Sequence, residues 1–282
     1  MILVFGKTGQ IGKELQLFEN IIALGRDQAD LSNPRCCILA ILNHKPEAVI
    51  NVAAYTNVDQ AEEDEALATI INSDAPTAMA KACNKLNIPL IHISTDYVFD
   101  GRGELPWTEQ DITAPQNAYG RTKLAGEIGI RTSGATHAII RTSWVISSHG
   151  KNFVKTILHL AEKKDKLNIV SDQIGAPTHA RDIANVCIQI VKKLQLDPTK
   201  SGTYHFCGTP YVSWAEFASE IFSQADINTD IKPVYTSNYP TIAMRPLNSR
   251  LDYDKIRQVF GITQPKWRKS LKHVLKELKV KS

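Results

Sequence analysis

The sequence lacks the long apolar runs that a membrane span or a secretory leader requires. Its hydrophobic stretches are no longer than a strand, and the opening residues MILVFGKTGQ contain no charged segment followed by a longer apolar one. Cysteine is scarce as well: the 5 residues are an odd number, and no two form a C-x-x-C pair. This argues against a disulfide framework and a zinc site, so we predict a cytoplasmic chain without a membrane partner, whose reduced thiols lie in the core.

An excess of charge of one sign is also missing. The 33 Lys and Arg residues against 29 Asp and Glu leave a formal charge of +4, far from the dense basic face that is typical of nucleic-acid binding. We therefore predict no nucleic-acid partner, although an anionic small molecule remains compatible with this charge. The 282 residues, 43% of them hydrophobic, suffice for one main sheet with a smaller appendage.

What the sequence does contain is a regular alternation of strand-like and helix-like segments. Residues 1–5 form an apolar run that meets Gly6, and apolar residues return at helical spacing from Ile11 to Phe18. The scheme repeats as far as Trp144, and runs such as AVINVAA and LIHIS are almost continuously apolar. Because parallel strands need covering crossovers and are buried on both faces, the pattern predicts an α/β fold with a Rossmann-like, doubly wound parallel sheet.

The turn after the first apolar run has the pattern G-x-x-G-x-x-G, formed by Gly6, Gly9 and Gly12. Glycine permits a tight turn, lets the backbone approach a pyrophosphate closely, and allows a helix to pack tightly on a strand. Such a pattern alone is weak evidence, because all turns are rich in glycine. Its place on the first strand of an alternating chain favours a dinucleotide site over an ordinary turn.

The end of the second apolar segment bears on the choice of dinucleotide. An acidic residue there suits a free ribose 2′-hydroxyl, whereas an arginine suits a 2′-phosphate. Arg26 occupies this place and favours NADPH, while Asp27 and Asp30 leave NADH use open. An exposed arginine without a function is also common after a strand.

Tyr119 and Lys123 lie four residues apart, and therefore on one face of a predicted helix over 119–130. A neighbouring ammonium stabilises a phenolate, so this spacing predicts a tyrosine whose pKa is lowered from about 10 toward neutrality. The lysine is also placed to bind the ribose hydroxyls of a cofactor. Alone, however, the spacing occurs by chance in many helices and favours a surface pair without a function.

Ser94, Thr95 and Asp96 end the strand LIHIS. Strand ends line the ligand crevice of open α/β sheets, so a hydroxyl here is placed to bond a substrate carbonyl beside the tyrosine. The alternative is that Thr95 and Asp96 cap a helix or form a turn. Because the glycine loop, the Tyr–Lys pair and this strand end all converge on one crevice, we predict a catalytic role.

Seven segments distributed along the chain form a recognisable set: GKTGQIG, NVAAYTNVDQAE, STDYVFDG, the segment from PWTEQD to YGRTKLAGE, RTSWV, SDQIGAPT and RPLNSRLD. Together they resemble the dTDP-4-dehydrorhamnose reductase family of extended short-chain dehydrogenases/reductases, from residue 1 to the C-terminal helix. The glycine and Tyr-x-x-x-Lys patterns are shared by the whole superfamily, whereas STDYVFDG, APQNAYGRTKLAGE and the late RPLNSRLD are more specific.

The resemblance implies reduction of dTDP-4-dehydro-β-L-rhamnose to dTDP-β-L-rhamnose by NAD(P)H. Tyr119 resembles the family's general acid, Lys123 its ribose-binding partner that lowers the pKa of the tyrosine, Thr95 its third catalytic hydroxyl, and Asp96 a substrate contact. The implied cofactor residues are Gly6, Gly9, Gln10, Ile11 and Gly12 at the pyrophosphate, Arg26, Asp30 and Leu31 at the adenosine, and Ala53, Ala54 and Tyr55 at the nicotinamide half.

Further substrate contacts are implied by the same resemblance. Trp144 resembles a residue that packs on the sugar, although it fits a core tryptophan at a strand end as well. Arg245, Asn248 and Arg250 resemble ligands of the nucleotide or diphosphate. The alternative for these three is a set of ion pairs that tie two domains together.

The resemblance also bears on metal binding and assembly. Some family members form dimers around Mg²⁺ held by carboxylates, and Glu14 matches the first of these. Arg181 stands where another carboxylate is expected, and a cation there repels a metal ion. We therefore predict no metal, interpret Glu14 as an exposed helix residue, and expect a monomer or a homodimer.

The predicted domain division follows the loss of regular alternation after Trp144. Residues 1–145 form the dinucleotide-binding domain, to which 178–206 return, and 146–177 with 207–282 form a smaller, mainly C-terminal α/β domain for the sugar nucleotide. Two alternative functions stay open. One is a related reductase of another 4-keto-6-deoxyhexose nucleotide, and the other is a non-catalytic regulatory subunit resembling that of methionine adenosyltransferase.

Overall fold

The computed structural model describes residues 1–281 and alternates strands with helices. The strands are β1 (Ile2–Phe5), β2 (Ile21–Leu24), β3 (Ala48–Asn51), β4 (Leu90–Thr95), β5 (His137–Thr142), β6 (Val145–Ile146), β7 (Lys166–Val170), β8 (Ile174–Gly175), β9 (Thr178–His179), β10 (Gly202–His205), β11 (Val212–Ser213) and β12 (Asp230–Val234). The helices are α1 (Gln10–Leu15), α2 (Pro34–His44), α3 (Gln60–Glu63), α4 (Glu65–Thr69), α5 (Ala75–Leu86), α6 (Ala118–Arg131), α7 (Phe153–Ala161), α8 (Ala180–Leu196), α9 (Trp214–Ala225), α10 (Asp254–Phe260) and α11 (Trp267–Lys281).

Six parallel strands form the central sheet, in the order β10-β5-β4-β3-β1-β2. The chain leaves β1 for β2 on one side and then returns to β3 on the other side. The strand order therefore reverses at β1, and open α/β sheets bind their ligands in the crevice that such a reversal creates. This confirms the predicted fold class, a doubly wound parallel sheet.

Helices cover both faces of this sheet because successive side chains of each strand point to opposite faces. On β3, Val49 packs among residues of α2 and α5, whereas the next residue, Ile50, packs among residues of α1 and α8. Both are completely buried, as are Ile91 and Ile140 on the neighbouring strands. The almost unbroken apolar runs of the sequence thus arise from burial on two sides.

A second group of elements, here called the small lobe, consists of β7, β8, β11, β12, α7, α9 and α11. Its strands form the pairs β12–β7 and β11–β8. Phe217 of α9 and Trp267 of α11 lie at the centre of its apolar core. Helix α10 does not belong to the small lobe: its residues Ile256 and Phe260 pack in the core of the large sheet. The predicted boundaries, with 207–282 assigned as a whole to the smaller domain, stay a prediction; Ser282 lies outside the described residues.

The apolarity of the helices and the burial of the cysteines bear on two predictions from the sequence. Among residues 1–281, no helix is long and apolar enough to cross a bilayer. The five cysteines are free thiols, and four of them are buried in the cores as expected, while Cys36 on α2 is only half-buried. The reading of all five as core residues is therefore wrong for Cys36, which lies next to the buried Cys37 and thus on a different side of the helix.

Candidate active site

A cleft of about 660 Å³ lies at the carboxyl ends of the central strands. It is bounded by the loops that follow β1 and β3, by the ends of β2, β4 and β5, by the start of α6, and by a tryptophan of the small lobe. Of the residues that the sequence analysis proposed for the site, most line this cleft: Gly6, Gly9, Gln10, Ile11, Arg26, Asp30, Leu31, Ala53, Ala54, Tyr55, Thr95, Asp96, Tyr119, Lys123 and Trp144.

The glycine loop between β1 and α1 is shaped by the absence of side chains. Gly6 has a φ of +108°, and a Cβ there would lie 2.9 Å from the backbone nitrogen of Ala53. At Gly12 a Cβ would overlap the carbonyl oxygen of Gly6, so α1 can pack onto the loop only with glycine at this position. Gly9 borders the cleft with φ in the ordinary range. The loop therefore fits close approach of a pyrophosphate to its backbone.

The far end of the cleft carries the groups expected near an adenosine. Arg26 is exposed at its edge, and Leu31 is buried beside it. The carboxylate of Asp30 accepts a hydrogen bond of 2.9 Å from the backbone N–H of Ser32. This bond lowers the pKa of Asp30, which therefore stays ionised. An exposed cation and a fixed carboxylate thus stand side by side at this end.

Helix α6 presents Tyr119 in its first turn because Asn117 caps the helix. The side chain of Asn117 accepts a 2.8 Å bond from the N–H of Gly120. Burial raises the pKa of Tyr119 to about 12, although contact with the Thr95 side chain opposes this in part. The expected lowering by Lys123 is therefore wrong for this geometry, and the phenol keeps its proton throughout the neutral range.

Lys123 points from α6 into the protein rather than at the phenol. Its Nζ donates a 2.6 Å bond to the carbonyl oxygen of Ile93 and lies 3.0 Å from Nε2 of His92. The side chain is almost completely buried, and this burial lowers the pKa of Lys123 to about 8 against the opposing charge of Glu127. Lys123 still borders the cleft, so its amine lies at the boundary between cleft and core.

Thr95 and Asp96 combine both roles that the sequence left open. The hydroxyl of Thr95 caps a short 3₁₀ turn by accepting a 3.2 Å bond from the N–H of Tyr97, and it donates to Oδ1 of Asp96 at 3.1 Å. Both residues also line the cleft. Burial raises the pKa of Asp96 to about 6, and its Oδ2 has no hydrogen-bond partner among the described residues.

Asn72 holds the wall of the cleft together and was not found from the sequence. It lies in a π-helical turn, Ile70–Asp74, between α4 and α5. Its Oδ1 accepts a 2.8 Å bond from the N–H of Tyr55, and its Nδ2 donates to Thr122 of α6 at 3.1 Å. It therefore ties the loop after β3 to the residue that precedes Lys123. No local sequence signal marks such a long-range contact.

Trp214 is a second residue that the sequence analysis missed. It lines the cleft from the small lobe and stacks on Trp144, which has a φ of 48°. The structure thus places Trp144 half-buried at the cleft rather than in the core. A signal for Trp214 did exist, because Ser213 and Glu216 form the capping box that starts α9 and sets Trp214 at its first turn.

Arg245, Asn248 and Arg250 of the late motif do not line the cleft, whereas Ser249 between them contacts Asp96 at its wall. Arg245 forms a 2.6 Å ion pair with Asp59, and Arg250 donates a 3.0 Å bond to Oδ1 of Asn248. The amide of the buried Asn248 donates to the carbonyl oxygen of Leu105 at 2.8 Å. These contacts correspond to the alternative interpretation, that the motif ties parts of the chain together. A ligand-binding role for Arg245, Asn248 and Arg250 stays a prediction.

Glu14 is not exposed, so that expectation is wrong. Its side chain on α1 faces α8 and accepts a 2.9 Å bond from Nε of Arg181. The same guanidinium donates to Glu277 of α11 at 2.8 Å. An arginine shared by two carboxylates thus links α1, α8 and α11. Among residues 1–281, no group of three His, Cys, Asp or Glu side chains is arranged to hold a metal ion.

Comparisons with known proteins agree over almost the whole chain. The family described as RmlD substrate binding domain matches residues 1–280. The chain is 40% identical to a dTDP-4-dehydrorhamnose reductase of Escherichia coli (strain K12), with 98% of this chain and 97% of that protein covered. A crystal structure of such a reductase from Clostridium acetobutylicum superposes with a TM-score of 0.93, at 36% identity and 99% coverage of both chains. A Bacillus anthracis reductase in complex with NADP gives 0.90, at 34% identity and 98% coverage of both.

Proposed function

The chain belongs to the dTDP-4-dehydrorhamnose reductase family of oxidoreductases, and on that premise we propose that it reduces dTDP-4-dehydro-β-L-rhamnose to dTDP-β-L-rhamnose with NADPH. The observation that carries the proposal is the single cleft that brings together the glycine loop, Tyr119, Lys123 and Thr95. The NADP complex of a relative with 34% identity supports the choice of cofactor. We also propose that the protein is located in the cytoplasm.

The cofactor fits the residues that line the cleft. The backbone of the loop at Gly6 and Gly9 receives the pyrophosphate, since no Cβ occupies that space. Arg26 and Asp30 face the adenosine end, and the segment from Ala53 to Tyr55 borders the nicotinamide half. When bound, NADPH supplies the hydride that adds to the C4 carbonyl carbon of the sugar.

The side chains of this chain supply position and a proton. Tyr119 donates its phenol proton to the C4 oxygen, so that the carbonyl becomes a CH–OH group, and the phenolate then regains a proton from solvent. Burial favours this role because it keeps the phenol protonated near neutral pH. The hydroxyl of Thr95 hydrogen-bonds the same oxygen. Lys123, whose amine lies at the boundary between cleft and core, binds the ribose hydroxyls and so holds the cofactor beside Tyr119.

A reductase assay tests the proposal directly. We expect the purified protein to consume NADPH, followed by the loss of its near-ultraviolet absorbance, only when dTDP-4-dehydrorhamnose is present. The product, analysed by NMR, should carry the rhamnose configuration at C4. A product of another configuration would assign the chain to a related 6-deoxyhexose reductase. Absence of turnover, together with co-purification of a synthetase subunit, would favour the regulatory alternative.

The preference for NADPH is tested at Arg26. We expect Arg26→Ala to raise the KM for NADPH about tenfold, equal to about 1.4 kcal/mol, because a charge-assisted contact to the 2′-phosphate is lost. The KM for NADH should stay within about twofold. Arg35→Ala is the matched control, since Arg35 is also exposed but does not border the cleft. If Arg26→Ala raises the KM for NADPH and the KM for NADH equally, Arg26 does not bind the 2′-phosphate.

A further inference from the structure

Behind Tyr119 and Lys123 lies a buried chain of two side chains that the proposed reaction does not use. Nε2 of His92 lies 3.0 Å from Nζ of Lys123, and Nδ1 of the same ring lies 3.1 Å from Nδ2 of Asn51. His92 and Asn51 are register partners on the adjacent strands β4 and β3, and both are completely buried. The three side chains therefore form a continuous row from the core to the edge of the cleft.

The imidazole in this row is neutral. Burial and the neighbouring Lys123 hold the pKa of His92 well below its usual 6.5. A neutral imidazole carries one N–H donor and one bare nitrogen acceptor, so it cannot accept from both neighbours or donate to both. The charge state of Lys123 therefore decides which ring nitrogen carries the proton, and so whether Nδ1 donates or accepts toward Asn51.

If Lys123 is an ammonium, the row contains an unfavourable contact. The ammonium can only donate, so Nε2 must be bare and the ring proton must sit on Nδ1, facing the donor Nδ2 of Asn51. Turning the Asn51 amide does not remove the conflict. Its Oδ1 accepts a 3.1 Å bond from the N–H of Ala53, and the turned amide would face that N–H with its own donor.

If Lys123 is a neutral amine, every contact in the row is satisfied. Asn51 donates to a bare Nδ1, the ring proton on Nε2 points at the lone pair of Nζ, and an N–H of Nζ donates to the carbonyl oxygen of Ile93. Unmatched buried donors are costly, so the row favours the neutral amine.

One charged group near the row acts in the opposite direction. Glu127, one turn further along α6, favours the ammonium of Lys123. Its carboxylate is already shared by Arg141 of β5 at 2.7 Å and by Arg131 of α6 at 2.9 Å, which weakens its effect. Asn51 and His92 themselves are the polar groups that β3 and β4 contribute to the row.

We propose that His92 and Asn51 are positioning residues that read the charge of Lys123: when the row loses one proton from the ammonium, the ring proton of His92 moves from Nδ1 to Nε2. The effect on catalysis rests on the proposed reductase function, in which a charged Lys123 binds the ribose hydroxyls of the cofactor. The alkaline limit of activity is then set by two residues that touch neither substrate nor cofactor.

Asn51→Asp is the sharpest test because it replaces the donor that faces Nδ1 of His92 by an acceptor. Asn51→Ser, whose hydroxyl can donate or accept without adding charge, separates this effect from that of the new negative charge. The carboxylate keeps an acceptor for the N–H of Ala53 and places a second acceptor opposite Nδ1 of His92, so the conflict with the ammonium disappears. We expect the titration midpoint of Lys123 to rise by about one pH unit or more. ¹⁵N NMR of the cofactor-free protein, with labelled lysine and histidine, follows both side chains without any enzymatic reaction.

The NMR result decides between the proposal and a purely structural row. In the unchanged protein, the ring proton of His92 should move from Nδ1 to Nε2 with the same pH midpoint as the titration of Lys123. In Asn51→Asp, Nδ1 should stay protonated through that range. The proposal would be overturned if the ¹⁵N chemical shifts of the His92 ring stay constant while Lys123 titrates. It would also be overturned if the titration midpoint of Lys123 moves by less than about 0.3 pH units in the variant. Should this variant not fold, Asn51→Ser decides, since its hydroxyl can accept from a protonated Nδ1 as well as donate to a bare one, and the midpoint should rise without any added charge.

The pH profile of kcat/KM gives the second readout. We expect the alkaline limb to move upward in Asn51→Asp by the same amount as the NMR midpoint. His179→Gln is the control, because His179 is also buried but its charged neighbours include Asp182, Glu14 and Arg181 rather than Lys123 or Glu127; its alkaline limb should not move. An unshifted limb in Asn51→Asp would overturn the catalytic consequence. A wild-type protein without reductase activity would refute the proposed function, while the NMR test of the row would still stand.

Discussion

The indole rings of Trp144 and Trp214 stack with their centroids 3.5 Å apart and their planes 12° from parallel. Trp144 follows the last residues of β5, and Trp214 begins α9 of the small lobe, so the stack joins the two parts of the molecule at the cleft. Gly175 lies against this stack, where a Cβ would be 2.7 Å from the Trp144 ring. A side chain at position 175 would therefore displace the Trp144 ring.

Removal of one ring should affect substrate more than cofactor. We expect Trp214→Ala to raise the KM for the sugar nucleotide about tenfold, because the Trp144 ring loses the partner that holds it at the cleft wall. The KM for NADPH should change less than twofold. Phe260→Ala is the matched control: Phe260 also packs on an aromatic ring, that of Tyr204, but does not border the cleft. It should lower Tm and leave both KM values unchanged, and an equal rise in KM for the two variants would contradict a specific role of the stack.

Loss of the phenol proton should abolish most of the turnover. We expect Tyr119→Phe to lower kcat by about 10²–10⁴-fold with the substrate KM nearly unchanged, because the change removes the acid and little volume. Tyr97→Phe is the control, since its ring meets that of Tyr119 edge to face at a centroid distance of 5.5 Å in the same cleft. A Tyr119→Phe enzyme that keeps most of its kcat, or an equal loss at Tyr97, would exclude Tyr119 as the acid.

The glycine loop offers a pair of substitutions with opposite expectations. Gly12→Ala should lower the free energy of unfolding by about 1–3 kcal/mol and weaken NADPH binding, because its methyl group overlaps the Gly6 carbonyl and displaces α1. Gly9→Ala should leave Tm almost unchanged, since its Cβ would make only an ordinary 3.5 Å contact. Thermal unfolding with and without NADPH measures both effects. A Gly12→Ala protein as stable as Gly9→Ala would show that the overlap is relieved by a small shift.

Asp96 should make stability depend on pH in a defined direction. Burial raises its pKa from 3.8 to about 6, so the folded protein binds this proton more tightly than the unfolded chain does. The resulting stability is fully present below pH 3.8 and is lost as the pH rises through about 6. Asp96→Asn should therefore be more stable than the unchanged protein above pH 6, by up to about 3 kcal/mol, with little difference near pH 4.

Denaturant unfolding at several pH values measures this difference. Asp165→Asn is the control for removal of an exposed rather than a buried carboxyl group, and the two variants are compared at each pH. A constant difference for Asp96→Asn over the same range would mean that the buried carboxyl group does not titrate with a raised pKa.

Features governed by local spacing were predicted well. The continuous apolar run of residues 1–5 and the G-x-x-G-x-x-G turn indicated β1 and the helix after it, and a Tyr–Lys spacing of four residues placed both side chains on α6. A capping asparagine at position 117 shows why α6 begins where it does. In each case, neighbouring residues along the chain supply both partners of the interaction.

Features that depend on distant partners were predicted poorly or not at all. Glu14 has the local pattern of an exposed residue, yet α8 and α11 approach it from far along the chain. Asn72 and Trp214 reach the cleft only through the packing of a π-helical turn and of the small lobe. The raised pKa of Tyr119 also follows from burial rather than from Lys123, its neighbour four residues along the helix.

The amino-acid sequence by itself determined the order of strands and helices, the doubly wound fold class, and the side chains that are able to bind a dinucleotide and donate a proton. Only the tertiary structure decided where Lys123 points, which charge state its buried neighbours favour, and how the small lobe closes the cleft with Trp214. The physical reason is that local backbone preference acts over a few residues, whereas burial and hydrogen-bond partners of these groups come from strands and helices that meet only after folding.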